Sequence, residues 1–440
     1  MAEIAPLKPL RYDLSRVDLA KVVAPPYDVI SPADRAELAA RDPHNVVHLD
    51  LPEGEGDAKY HHAAKLLAEW RSAGVLVRDD EPAFYRYEQT FAPPGGGAKK
   101  KRRGFLGLVR LVALDQGIVL PHERTLAGPK LDRLKLSRAT KASLSPGFML
   151  YRDPARALDA ALEKATPLVE ITTPDGIHHA LAKLSDPSAI AAIVSGVATS
   201  KLLIADGHHR YSTALEYVNE TTSAGVPNPE QQFFMTFFAN GDDPDLVVFP
   251  THRLVHSLPK ADYDAMLEGV REIFDVKTLA SSAPAPALLA ELAASGQKRP
   301  SLVACAPDGR VALLALKDGV DLAKHSVLGA TPEVLRRTDV ALLHMGILEP
   351  VLGVTRAMQE AKTNIFYPQD ASAALRDLHA RDEKKGQMLF LMNGTPVEQV
   401  RRVAEAGEVM PQKSTFFFPK VLTGLAIHTL DPSRQVPVAG

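Results

Sequence analysis

Asp206, Gly207, His208, His209 and Arg210 stand in a row after the apolar tetrad Leu202–Ala205. Behind them Tyr211, Ala214, Leu215 and Val218 recur at helical spacing. An acid, two imidazoles and a guanidinium at a strand-to-helix corner are more chemistry than a turn requires. With a helix starting at Gly207, Asp206 is the N-cap, and its carboxylate reaches the backbone N–H of His208 or His209. The first-turn amides carry partial positive charge and favour an anion. Gly207 has no Cβ to hold a ligand off the backbone. Arg210 presents a planar fork to phosphate or carboxylate oxygens, and the histidines supply donors near neutral pH. The corner suits an anionic group, most simply a phosphate. Taken singly, each residue also has a plain structural use: Asp-Gly is a common turn, and a lone His often bonds within a core.

A second group lies upstream in PHERTLAGPKLDR. Glu123 follows the apolar GIVL and, if its loop folds over the corner, is placed to act as a general base. His122 precedes it. Thr125, Lys130, Asp132 and Arg133 add a hydroxyl, cations that steady phosphate charge, and an acid able to hold a divalent ion. A charged surface loop would have the same composition. A third group, PQKSTFFF, offers Lys413, Ser414 and Thr415 ahead of an aromatic strand, and a loop entering that strand explains it equally well.

Several chemistries are excluded. There is no G-x-x-x-x-G-K-[ST] loop and no G-x-G-x-x-G after a strand, so P-loop phosphoryl transfer is not expected. His122-Glu123 is not followed by the spacing of H-E-x-x-H, and the pairs His61-His62 and His178-His179 read as solvent-facing helix and hairpin positions. The metal ligands stay unassigned. One cysteine, Cys305, precludes a disulfide and a Cys-rich zinc site, and in SLVACAP it reads as buried packing. A net charge of −2 gives no nucleic-acid footprint, although Lys99 to Arg103 form a basic run. Without interleaved aromatics, that run reads as a solvated hairpin tip. No apolar span reaches membrane length and no secretory signal is visible, which makes a cytoplasmic protein the expectation.

The elements that must position these groups alternate between strand and helix, so the class is α/β or α+β. Ser31-Pro32 opens the helix Ala33–Ala40. NVVHLDLP reads as a strand, and DAKYHHAAKLLAEWRSAG as a helix closed by Gly74. PAFYRYEQTF and RRGFLGLVRLVAL are strands flanking the loop APPGGGAKKKRR. Residues 119–151 are polar, with little apolar periodicity at their start. QQFFMTFFAN and LVVFPTHRLV are strands, SLVACAPDGRVALLAL is a hairpin with an Asp-Gly turn, and DVALLHMGILEPVLG is a helix. At 440 residues more than one domain is expected. The segments drawn are 1–103 (N-terminal α/β), 104–260 (core with the PHE and DGHHR motifs), 261–335 (α+β subdomain) and 336–440 (C-terminal α/β). The oligomeric state is not legible.

APPYDVIS, PHERTLAGPK with DRLKLSRATKASLSP, IADGHHRYSTAL, DVALLHMGILEPVLG and MPQKSTFFFPKVLTGL together resemble the bacterial domain-of-unknown-function 1015 family over nearly the whole chain. PHE followed by DGHHR is similar, more distantly, to the ParB/sulfiredoxin-type fold and its free-serine kinases. That resemblance implies a ParB/sulfiredoxin-like core carrying extra N-terminal, inserted and C-terminal elements. It implies Glu123 as base on a serine hydroxyl, and Asp206, His208, His209 and Arg210 as the phosphate and metal corner. It implies free L-serine as acceptor, O-phosphoserine as product, ATP, ADP or pyrophosphate as donor, and Mg²⁺ beside the phosphates. The chain lacks the G-x-R-R-type pattern of nucleotide-hydrolysing members and has no cysteine in the corner, which argues against a CTP switch and against sulfiredoxin chemistry. A metal-dependent phosphohydrolase or nucleotidase, and a non-catalytic nucleotide-binding module, remain the alternatives.

Overall fold

A computed structural model describes residues 1–93, 97–124, 127–221, 225–380, 382 and 384–438. The chain is a mixed α/β protein divided into two compact units that are discontinuous in sequence. The first unit takes Met1–Pro121, Thr125–Leu246 and Pro419–Gly440; the second takes His122–Arg124 and Val247–Phe418.

The first unit is organised on a nine-stranded mixed sheet. Phe233–Asn240 is buried along its whole length, as a mostly apolar strand is when both of its faces are covered. It pairs antiparallel with Lys100–Arg110 and parallel with Gly147–Tyr151. Gly147–Tyr151 in turn pairs antiparallel with Leu202–Asp206, the strand that ends at the corner. Phe84, Phe105, Phe234 and Phe238 pack with Ile193 and Val197 of the helix Pro187–Ala198, so the corner strand stands on a filled core.

The second unit has a six-stranded antiparallel sheet in the order Phe274–Thr278, Val311–Leu316, Ser301–Cys305, Met388–Met392, Arg253–Val255, Ile365–Phe366. Side chains along a strand alternate between faces. Met388, Phe390 and Met392 therefore enter one core, while Leu389 and Leu391 enter another with Val303 and Cys305. Cys305 is buried, and burial pushes its thiol up to about 12. It is a packing residue.

Several local expectations hold. Ser31 caps the helix Pro32–Arg41 through a capping box with Asp34. The hairpin Ser301–Cys305 to Val311–Leu316 is antiparallel. Other elements differ from the sequence reading. NVVHLDLP is the short helix Val47–Asp50 rather than a strand. Asn45 redirects the chain there: its Oδ1 accepts from the Val47 N–H at 2.9 Å, and its amide donates to the carbonyl of Lys21. Residues 119–151 contain the helix Ala127–Thr140, whose apolar face the charge-rich sequence hides. LVVFPTHRLV splits into Val247–Phe249 and Arg253–Val255, in different sheets, with Pro250 unable to donate between them. DVALLHMGILEPVLG is α-helical only over Asp339–Leu343, then π-helical over His344–Leu348.

Candidate functional site

The helix after the corner runs His208–Glu220, and its N-cap is Gly207 at φ 88°, one residue later than the sequence placed it. The carboxylate of Asp206 is bonded by cations instead. Arg210 Nη2 donates to its Oδ2 at 2.6 Å, and Lys420 Nζ donates to its Oδ1 at 2.8 Å. Arg210 also donates to the Pro146 carbonyl. A Cβ on Gly207 would stand 3.1 Å from the Arg210 Cζ and Nε. The missing side chain therefore makes room for the guanidinium, where the sequence suggested room for a ligand. Positive φ and this close approach both demand glycine.

Arg210 is buried, and burial pulls its guanidinium down; Asp206, with Asp28, Tyr27 and Asp50 beyond it, outweighs that and holds it above its ordinary value. Arg133 is balanced in the same way. Burial lowers it, Asp50 and Asp132 raise it, and the net shift is upward. Its Nε donates to Asp132 at 2.9 Å, its Nη1 to Asp50 Oδ1 at 3.2 Å, and its Cζ lies 4.1 Å over the Tyr27 ring. Arg133, Arg210 and Asp50 line a cavity of about 50 Å³ beside Ser143, Ser145 and Thr213. Asp50 Oδ2 is buried without a hydrogen-bond partner among the described residues, and burial pushes this carboxyl up against the pull of Arg133 and Arg210.

Arg102, the fourth residue of the basic run, is buried and donates to Gln89 and to the Pro419 carbonyl, with its Cζ 4.7 Å over Phe148. Burial brings it down to about 10, against the fields of Tyr87 and Asp206. Its Nη1 has no hydrogen-bond partner among the described residues. From Lys100 onward the run lies on the strand Lys100–Arg110 rather than on a hairpin tip. Lys101 and Arg103 pair with Glu88, and Lys100 pairs with Asp245.

His122 and Glu123 belong to the second unit. Glu123 Oε1 accepts from the Ser414 N–H at 3.1 Å, and His122 Nε2 bonds the Thr415 hydroxyl at 2.8 Å. His122 and Glu123 of the second sequence group thus meet the third. Close by, Arg253 is buried with no carboxylate of the described residues bonded to it: it donates to His344 Nε2 at 3.1 Å, to the Lys413 carbonyl at 3.0 Å and to the Thr251 carbonyl. Burial drops Arg253 to about 10, while Tyr367 and Glu123 pull the other way. Since His344 Nε2 accepts, its Nδ1–H donates to Gln359 Oε1 at 2.6 Å, and the ring is the neutral Nδ1–H tautomer. Burial, then Arg253, push His344 down to about 3.

Among the sequence-derived site residues, Asp206, Gly207, Arg210 and Arg133 are gathered in the first unit, and His122, Glu123, Ser414 and Thr415 in the second. His208 is buried and His209 half-buried in the first helical turn. Lys130 is ion-paired with Glu216, and Asp132 also takes Lys59 and Tyr60. Thr125 lies outside the described residues. His61 and His62 are exposed on their helix, but His179 is buried on a strand with the Tyr87 hydroxyl 2.7 Å from its Nδ1. The donor set does not fit a protein-held Mg²⁺: Asp206 carries two cations, and the described residues hold no group of three or more His, Cys, Asp or Glu suited to a metal. Sequence reasoning missed Lys420, Arg102, Asp50 and Arg253. The first two had a signal, the lysine within FFFPKVLTGL and the arginine within the basic run; Asp50 and Arg253 had none.

No helix in the described residues is long and apolar enough to cross a membrane. The family model described as a protein of unknown function, DUF1015, matches residues 4–341. No curated protein matches the chain. Solved structures that match the chain include a conserved hypothetical protein from Pyrococcus furiosus, 13% identical over 73% of this chain and 94% of its own, with a TM-score of 0.36. A mutant free serine kinase in complex with ADP is 11% identical over 73% of this chain and 91% of its own, with a TM-score of 0.38. SbnI from Staphylococcus aureus, truncated at its C-terminus, is 10% identical over 72% and 85%, with a TM-score of 0.35.

Proposed function

The chain belongs to the DUF1015 family of proteins of unknown function, and we propose that it is a small-molecule phosphotransferase, a free L-serine kinase that makes O-phosphoserine from a nucleotide or pyrophosphate donor. At TM-scores of 0.38 and below, the solved neighbours add nothing to this reading. Its support is the pair of motifs and, above all, one feature of the corner. Arg210 and Lys420 bond Asp206 at a helix N-terminus while Arg102, within its field, keeps a buried guanidinium N–H without an acceptor among the described residues. A buried donor without a partner costs about 1–3 kcal/mol, and an anionic oxygen offsets that cost. Cations and first-turn amides together suit phosphate.

In this reading the first unit's corner holds the phosphoryl donor through Arg210 and Lys420, and the motif resemblance makes Glu123 the base on the acceptor hydroxyl. The Ser414 N–H keeps the Glu123 carboxylate oriented. ATP, ADP and pyrophosphate all present the phosphate oxygens the corner would take.

The test offers each donor with L-serine and reads phosphoserine by mass spectrometry. One donor should give O-phosphoserine, and Glu123→Gln should lower its formation by on the order of 10²–10⁴ with donor affinity unchanged. Lys420→Met should weaken donor affinity. No phosphoserine with any donor rejects the kinase; phosphate release independent of serine identifies a hydrolase, and donor binding without turnover a sensor.

A further inference from the structure

The second unit contains a cavity of about 420 Å³ that the phosphotransferase reading does not use. We propose that it is a binding site for a protonated primary amine carried on an apolar body. Its volume falls within the range of small-molecule sites, roughly 300–1,000 Å³. Leu335, Met345, Val409 and Met410 supply an apolar surface. His344, Gln359 and Tyr367, with Thr331 and Gln412, form the uncharged polar part of the wall. The first two have fixed roles: His344 accepts from Arg253 and donates to Gln359, whose amide donates to the Val354 carbonyl at 2.8 Å. That chain is closed on itself, so it lends shape and rigidity rather than unused charge. The segment that brings His344 and Met345 to the cavity is the π-helical turn His344–Leu348. Such a turn interrupts regular helix bonding, and helices keep it mostly where it places side chains for function.

The sign of the ligand follows from the charges at the cavity. Five charged side chains border it: Arg124, Arg356, Glu349, Glu360 and Glu408. Arg356 Nε donates to Glu360 Oε1 at 3.2 Å, so that pair neutralises itself. Arg124 alone is left against Glu349 and Glu408, both half-buried, and neither carboxylate has an ion-pair partner among the described residues. His344, held neutral, adds no cation, and Arg253 behind it is 1% exposed, with its donors spent on carbonyls and on His344 and with Glu123 opposing its charge. An anion would meet two carboxylates and one guanidinium. A cation meets a surplus of negative charge where solvent is partly excluded and Coulomb attraction is stronger than in water. The apolar surface asks for a hydrocarbon or aromatic body behind the ammonium group.

Titration calorimetry of the full chain with three compounds of one skeleton tests this: phenethylamine, phenethyl alcohol and phenylacetate. The amine should bind at least on the order of ten-fold more tightly than the alcohol or the acid. Glu349→Gln and Glu408→Gln should each weaken the amine several-fold while leaving circular dichroism and Tm unchanged. Ala330→Trp, at the exposed rim, should block it without crowding the core. The proposal falls if none of the three compounds binds, if the acid binds as well as the amine, or if both Gln variants keep the wild-type amine affinity. None of these readouts depends on serine or a phosphoryl donor, so the result stands apart from the kinase test.

Discussion

Each unit buries an arginine, and the two are held in opposite ways. Arg210 in the first unit is anchored by the Asp206 carboxylate and stays above its ordinary proton affinity despite burial. Arg253 in the second is surrounded by carbonyls and a neutral imidazole, and burial brings it down to about 10. A charge held by a countercharge depends on one partner; a charge held by dipoles depends on none in particular. The first is where, in the phosphotransferase reading, an added anion would enter by exchange with Asp206. The second is a rigid scaffold, suited to shaping a wall.

The largest effect expected from this difference is Asp206→Ala. It leaves Arg210 buried without its anion and should lower stability by about 3–5 kcal/mol, measured by urea unfolding. Adding Arg210→Met should recover a large part of that loss, because the uncompensated charge goes with it. A single variant as stable as wild type would mean that the Pro146 carbonyl holds Arg210 without Asp206. Gln359→Leu in the second unit, which removes one dipole beside His344, should cost less, about 1–3 kcal/mol.

Acid should cost both units stability, through buried histidines. Burial drops His179 and His428 in the first unit, and His252 in the second, to about 4, and His344 to about 3. Their unfolded value is about 6.5. Between that value and the folded one the unfolded chain binds protons that the folded chain refuses, so stability falls as pH drops from about 6.5 towards 4. Asp339 in the second unit works in the other direction: burial raises it to about 6, so acidification below that value favours the folded state. His252→Gln should therefore remove about 1–3 kcal/mol of the acid loss, and Asp339→Asn should steepen it while raising stability at neutral pH. Urea midpoints at pH 7.5 and 4.5 read both. A wild-type midpoint that does not fall with acid would contradict the burial of these imidazoles.

What was legible in the sequence divides along similar lines. The elements that local rules govern were readable: the Ser31 cap, the Asp-Gly hairpin, the fully buried Phe233–Asn240 strand and the strand-to-helix corner itself. What depends on chain closure was not. Lys420 reaches Asp206 across 214 positions, and Asp50 meets Arg133 across 83, so nothing local ties either pair. The Asn45 turn won over the strand propensity of NVVHLDL because one side chain satisfied three backbone groups. Gly207 was singled out correctly as the pivotal glycine, but for access where the structure uses it for packing. Gly207→Ala should accordingly cost about 1–3 kcal/mol, from its left-handed backbone and the crowded guanidinium. A neutral outcome in urea unfolding would show that Arg210 can move aside.

The smallest effect belongs to the basic run, where the contrast between a buried and a solvated cation is compressed into two neighbours. Alternation along the strand sends Arg102 inward, with 2% exposure, and leaves Lys101 half exposed beside Glu88. Lys101 Nζ lies 2.9 Å from Glu88, and Arg103 contacts Glu88 and Glu163 at 2.6 and 2.8 Å. The described cations of the run after Lys99 are thus matched by carboxylates or buried, and they project no continuous positive stripe. An exposed ion pair contributes about 0–1 kcal/mol, and Arg103 still covers Glu88 when Lys101 is gone. Lys101→Met should therefore change stability by less than about 0.5 kcal/mol. Wild type should show no salt-dependent retention of single-stranded or duplex DNA even at low ionic strength, where a working phosphate footprint is strongest. Tight retention by wild type that Lys101→Met reduces would break the contrast, because an outward lysine tied to Glu88 would then be reading phosphate.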